Sequence, residues 1–217
     1  MKPAPPVTIA RKAPYPRLWM FITFEGLDGS GKSTQTELLA EAIRGTGRDV
    51  VTTREPGGTP LGEHVRELLL NGDGISAWAE AALFAAARAE LVDQVIAPAL
   101  ENEAVVICDR YLDSSLAYQG VARGLGVERV LQLNLPAIGD RLPDRTFLLE
   151  IDPVEAAQRV GGNRDRIEQE DEGFRREVAV AYRQLAETFP QRIEAVDGSR
   201  PPAEIAKEIF GRVRESL

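Results

Sequence analysis

Phe21-Ile22-Thr23-Phe24-Glu25-Gly26-Leu27-Asp28-Gly29-Ser30-Gly31-Lys32-Ser33-Thr34 is the stretch around which the rest of the chain is organised. A short apolar run rich in β-formers enters a glycine loop, and the loop opens into a segment with Leu38, Leu39 and Ile43 on one side. The order is strand, loop, helix. Gly26 to Ser33 spells G-x-x-x-x-G-K-S, the Walker A pattern, whose glycines let backbone N–H groups wrap a phosphate chain. Gly26, Leu27, Asp28, Gly29, Ser30, Gly31, Lys32, Ser33 and Thr34 are therefore expected to bind a nucleoside triphosphate. Lys32 is expected to reach the β- and γ-phosphates and Ser33 to hold Mg²⁺, with the following helix N-terminus adding partial positive charge.

Bulk composition narrows the function further. A length of 217 residues suits one α/β domain. The net charge of −8 argues against nucleic-acid binding, which needs a basic face to displace counterions. No apolar run approaches the roughly 20 residues that cross a bilayer, so no membrane partner is expected. A single cysteine, Cys108, excludes an intrachain disulfide and fits a reducing, cytoplasmic setting. With His64 as the only histidine, chemistry built on a histidine base or a multi-histidine metal site is nearly excluded.

Residues 1–18 carry five prolines and no acid, and read as an extended tail ahead of a single domain over 19–217. They are expected to be dispensable for the fold, with Met20 as a conceivable start of translation. After the Walker helix, strands are expected at 50–53, 104–108, 146–151 and 193–196. Helices between them are expected at 61–70, 77 to about 100, 112–121, 127–139 (interrupted by Pro136) and 173–189. This alternation predicts a five-stranded parallel sheet covered by helices on both faces.

The pattern places several charged groups at the strand ends where such sheets bind ligands. Arg54 follows the second strand in a loop dense in proline and glycine, and could clamp an anion. Asp109 follows the third, where an acid facing a Walker loop holds Mg²⁺ directly or through water. Phe84 and Arg88, four apart on one helix, offer a flat surface plus a hydrogen-bonding fork. Segment 158–172, mixing arginines with Gly161 and Gly162, reads as a mobile lid. Two arginines beside a stacking surface fit a nucleoside monophosphate as acceptor. A kinase for a different monophosphate or for a nucleoside, and a regulatory protein that hydrolyses ATP slowly, are the rival readings.

Five blocks carry a resemblance that goes further: 24–35, 53–59, Phe84 to Arg88, Asp109-Arg110-Tyr111 with 115–120, and Asp165-Arg166-Ile167-Glu168. Together they resemble the thymidylate kinase family, from Met20 to the end of the chain. The resemblance implies a P-loop NTPase fold with a mobile lid. It also implies Mg²⁺-dependent transfer of the ATP γ-phosphate to dTMP, in the pathway to dTTP, by a homodimer. By motif, Phe84 would stack on thymine and Arg88 would bond its carbonyl edge, while Arg54 and Arg110 hold the dTMP phosphate. Asp28 would meet the sugar 3′-hydroxyl or orient the acceptor, Ser115 would contact the base, Gln119 would belong to the dTMP site, and Tyr118 would exclude a 2′-hydroxyl. Some relatives carry an arginine inside the Walker loop where this chain has Gly29. Transition-state charge is then expected from the lid, with Arg164 and Arg166 preferred over Arg159, beside Lys32, Asp28 and Arg110 as catalytic residues.

Overall fold

A computed structural model describes residues 20–72, 74–139, 141–161 and 165–217. The expected tail over 1–18, and Gly162 and Arg164 of the expected lid, lie outside the described residues. Strands β1 (Met20–Glu25), β2 (Val50–Arg54), β3 (Val105–Asp109), β4 (Arg145–Glu150) and β5 (Ile193–Asp197) form one sheet in the order β2-β3-β1-β4-β5, parallel at every pairing.

Period-two alternation along the strands divides the core in two. Ile22 and Phe24 of β1, with Val105, Ile107, Phe147 and Leu149, meet Leu39, Ala40 and Ile43 of α1 (Lys32–Arg44) and Ile205, Ile209 and Val213 of the C-terminal helix (Pro202–Val213). Phe21, Val106, Cys108 and Leu148 point the other way. There they pack with Ala81 and Leu91 of α3 (Ala77–Leu91) and with Val178, Ala181 and Leu185 of the helix Glu172–Thr188. Between these, α2 (Pro60–Asn71) covers α3 through Val65, Leu69 and Ala87.

Register sets the site. Phe24 and Arg54 both pair with Asp109, so three strands finish level. The Walker loop, Arg54 and the Asp109-Arg110 turn leave the sheet on one edge.

Three helices differ from their sequence expectations, two in taking a wide turn and one in running through a proline expected to interrupt it. The helix expected from 77 to about 100 changes at Val92–Ile96 to a π turn, in which the Ala97 amide donates to Val92 O, and ends as Ala97–Glu101. Pro98 explains the change, since its ring and missing N–H cannot continue regular α-helical bonding to the preceding turn. Residues 112–121 likewise run as a short α-turn, Leu112–Ser115, into a π segment, Leu116–Ala122. By contrast Pro136 lies inside a continuous helix, Val127–Ile138. Among the described residues no helix is long and apolar enough to cross a membrane.

Candidate active site

Lys32 opens α1 and turns back across the Walker loop, its buried ammonium donating to Leu27 O at 2.8 Å with Asp28 at 3.9 Å. Burial and the nearby Arg110 both push the Lys32 pKa down, and Asp28, Asp109 and Glu25 partly restore it. Gly29 has φ 84°, and a Cβ there would meet the Ala156 carbonyl of the helix Pro153–Val160 at 2.3 Å. No side chain fits that position while this helix keeps its place, so an arginine at position 29 is sterically excluded. Ser30 Oγ is buried within the loop without a partner, as expected of a cradle whose ligand supplies further polar contacts.

Ser33 Oγ donates to Asp109 Oδ2 at 2.6 Å. A hydroxyl and a carboxylate oxygen, held together at the loop's exit, are hard donors of the kind Mg²⁺ prefers. The pair fits that ion.

Arg110 is the hub of the next layer. Its φ of 68° is left-handed, which for a non-glycine residue costs about 1–2 kcal/mol. Its own amide donating to Phe24 O and the Cys108 thiol donating to Arg110 O hold it there. The turn aims the guanidinium back at the loop, where it donates to Gly26 O at 3.0 Å and Asp28 Oδ1 at 2.5 Å. Ser114, Tyr182 and Tyr118 hydroxyls complete its shell. Burial opposes ionisation of Asp28, but Arg110 and then Lys32 outweigh it and hold the carboxyl at about 2.

Behind Arg110 lies Glu25, wholly buried at the end of β1 and bonded by Tyr111 N, Ser114 N, Ser114 Oγ and Tyr182 OH. Burial, then Asp113, still pushes its pKa up to about 7, and burial raises Glu55 to about 6 against the pull of Arg88. A raised native pKa means that the folded state holds the proton longer than the unfolded chain does. The stability this confers is full below about pH 4.5 and is lost as pH rises through about 7. Urea unfolding from pH 5 to 8 should therefore show falling stability. Glu25→Gln should remove on the order of 2 kcal/mol of that fall; a slope identical to the wild type would contradict the assignment.

Two cavities meet at this hub. One, about 430 Å³, is lined by Lys32, Ser33, Asp109, Arg54 and Arg159. The other, about 110 Å³, is lined by Phe84, Ser115, Tyr118 and Gln119. Asp28, Glu55, Arg66, Arg110 and Glu168 belong to the walls of both. The large cavity has the size and the cations for a triphosphate, and the small one has the flat and polar groups for a base.

Most of the residues expected from sequence thus converge, with three qualifications. Arg54 is half-exposed and held bidentately by Glu63 at 3.0 and 3.1 Å. Arg88 does not line the base cavity. Its N–H groups go to Glu55, Ser115, Asn134 and Tyr111 O, so a bond to a base must replace one of these. Arg166 is turned away from the Walker loop, donating to Leu69 O at 2.8 Å and Glu80 at 2.7 Å. The carboxylate and the carbonyl it bonds tie Arg166 to α3 and to the end of α2. Arg159, ranked below it from sequence, lines the larger cavity, bonded to Gly198 O and Glu155.

Sequence reasoning missed Arg66 and Glu168 as wall residues. Arg66 sits mid-helix in α2 and reads as a solvated charge until the Pro56 carbonyl, its bond partner at 3.0 Å, is placed beside it. Glu168 carried a signal in the Asp165-Arg166-Ile167-Glu168 block.

Comparison with known proteins agrees with this geometry. The family model described as thymidylate kinase matches residues 24–209. A thymidylate kinase of Leifsonia xyli is 51% identical over 204 residues, covering 92% of this chain and 97% of that one. One from Symbiobacterium thermophilum is 49% identical over 201 residues, covering 91% and 94%. The crystal structure of thymidylate kinase from Ehrlichia chaffeensis matches with a TM-score of 0.73 at 37% identity, over 90% of this chain and 98% of that one. Alike in sequence over nine-tenths of its length and alike in fold, the chain belongs to the thymidylate kinase family.

Proposed function

We infer that the protein transfers the γ-phosphoryl group of ATP to dTMP, giving ADP and dTDP. The observation that carries this is the shared wall: a triphosphate-sized cavity and a base-sized cavity meet at Arg110, Arg66, Asp28 and Glu168. A slow hydrolase has no use for the second cavity.

ATP lies along the Walker loop, where backbone N–H groups and Lys32 bind its β- and γ-phosphates. Ser33 and Asp109 hold Mg²⁺, which when bound neutralises phosphate oxygens as the charge migrates. dTMP stacks its base on Phe84, bonds it to Ser115 and Gln119, and reaches Arg88 by replacing one of that residue's present bonds. Its phosphate rests against Arg110, with Arg54 and Arg66 alongside, and Asp28 orients the hub. The attacking oxygen belongs to a phosphate with a second pKa near 6, so no protein base is required. Arg159 supplies the lid's charge to the moving phosphoryl group. Tyr118, beside Asp28 at the floor of the base cavity, excludes a ribose 2′-hydroxyl by shape.

The exposed row Trp78, Ala82 and Ala86 on α3 leaves a smooth face suited to a second copy of the chain. Sedimentation at twice the monomer mass would bear out a homodimer, and a monomer at assay concentrations would exclude it. The free, buried Cys108 suits a reducing cytoplasm.

The test of the acceptor reading is ADP release with Mg²⁺-ATP across dTMP, dUMP, UMP and AMP. dTMP should exceed UMP by at least about 100-fold in kcat/KM, as a clash with the 2′-hydroxyl implies. Equal use of UMP or AMP would overturn the assignment of the base cavity.

A further inference from the structure

Glu80 projects from α3 toward the π segment Leu116–Ala122 and Arg166, almost wholly buried. Its Oε1 accepts from Gln119 Nε2 at 2.9 Å and from Arg123 Nε at 3.3 Å; its Oε2 accepts from Arg166 Nη2 at 2.7 Å and Arg123 Nη2 at 3.3 Å. Glu80 itself is not part of the base cavity, but Gln119 is.

A side-chain amide has two faces of opposite character, one donating and one accepting, and a half-turn about its last torsion exchanges them. Which face Gln119 shows a ligand depends on what stands behind it. A carboxylate flanked by two guanidiniums stays ionised, and an ionised carboxylate only accepts. Burial raises the Glu80 pKa, but Gln119, Arg166 and Arg123 together bring it below the usual carboxylate value. Gln119 must therefore turn its NH₂ to Glu80.

We propose that Glu80 is a positioning residue for base selection: it locks the Gln119 amide with its carbonyl oxygen toward the base cavity, as an acceptor. That oxygen complements a ring N–H. Thymine and uracil carry a hydrogen on N3, whereas cytosine has a bare N3 acceptor there. The same carboxylate anchors Arg166, and through Arg123 it is linked to Glu170 at 2.6 Å, so the lid root and the base reader share one fixed point. The proposal rests on the acceptor reading of the small cavity.

The matched pair of acceptors is dTMP and 5-methyl-dCMP, which share sugar, phosphate and methyl group and differ at the N3 and 4-position edge. Glu80→Gln is close to isosteric, and its amide can pair with Gln119 in either orientation. Arg123 and Arg166, both with some access to solvent, can turn outward. The dTMP to 5-methyl-dCMP ratio of kcat/KM should fall at least tenfold in Glu80→Gln, chiefly through KM. Gln119→Leu alone should lower the ratio by a similar factor, and adding Glu80→Gln to it should change the ratio by less than twofold, because the two residues act as one unit. An equal loss for both acceptors in Glu80→Gln would show a merely structural role and overturn the proposal. An unchanged ratio in Gln119→Leu would overturn it even if the Glu80 variant did not fold. Failure of the unaltered enzyme to use dTMP would overturn the acceptor reading and this proposal with it.

Discussion

Arg159→Ala should lower kcat by about 10²- to 10³-fold, some 3–4 kcal/mol of transition-state stabilisation, and leave the KM for dTMP within about threefold. The size follows from geometry. Gly29 leaves no room for a side chain against the Ala156 carbonyl, and the Walker loop of this chain carries no arginine. Among the described residues of segment 158–172, Arg159 lines the larger cavity and pairs with the half-exposed Glu155, while Arg166 is held by the buried Glu80 and does not line it. Lys32 remains but acts as a point charge, and water entering behind a missing guanidinium would have to reorganise as the phosphoryl group moves. Arg159→Lys should recover only part of the rate, since it keeps the charge without the fork. The KM for ATP should rise modestly, because Arg159 also donates to Gly198 O beside the loop. Turnover of Arg159→Ala within threefold of the wild type would remove Arg159 from the account.

Arg110→Met should be more severe in kcat/KM for dTMP, falling about 10³- to 10⁴-fold with a raised KM, because this residue serves both cavities. Methionine keeps an unbranched stem and meets the same left-handed backbone demand, so the loss reports the guanidinium. Without it Asp28 loses its main stabilising charge, its pKa climbs from about 2 toward the ordinary range, and its carboxylate faces the incoming phosphate unshielded. Calorimetric titration with dTMP separates the binding loss from the rate loss. A dTMP affinity within threefold of the wild type would show that Arg54 and Arg66 hold the phosphate unaided.

Much of this is legible in the sequence, for a physical reason. A Walker loop, a buried strand and a strand-end acid are local signals, and parallel topology brings strand ends together by rule. The β1 loop, Arg54, Asp109 and Arg110 accordingly lie on one edge. What sequence could not rank were side chains whose meaning depends on a distant partner. Arg166 and Arg159 are equally charged in the chain and each finds a carboxylate; they differ because the partner of Arg166, Glu80 on α3, is buried, whereas that of Arg159, Glu155, is half-exposed and leaves Arg159 at the larger cavity. Arg88 reads as a base contact by spacing from Phe84, yet Glu55 and Asn134, 33 and 46 residues away, take up its donors. The π turns at Val92–Ile96 and Leu116–Ala122 leave no compositional mark beyond Pro98. Arg66 went unnoticed because a lone helix charge is ordinarily solvated.

The most direct measurement is product identity: Mg²⁺-ATP labelled at the γ-phosphate is incubated with the enzyme, with and without dTMP, and the label is followed by chromatography. The shared wall of the two cavities predicts that with dTMP the label passes to dTDP, one ADP per dTDP, and that without dTMP inorganic phosphate forms at least about 100-fold more slowly than dTDP does with it. Label appearing as inorganic phosphate at the same rate in both samples would contradict it, leaving a nucleotide hydrolase in place of a kinase.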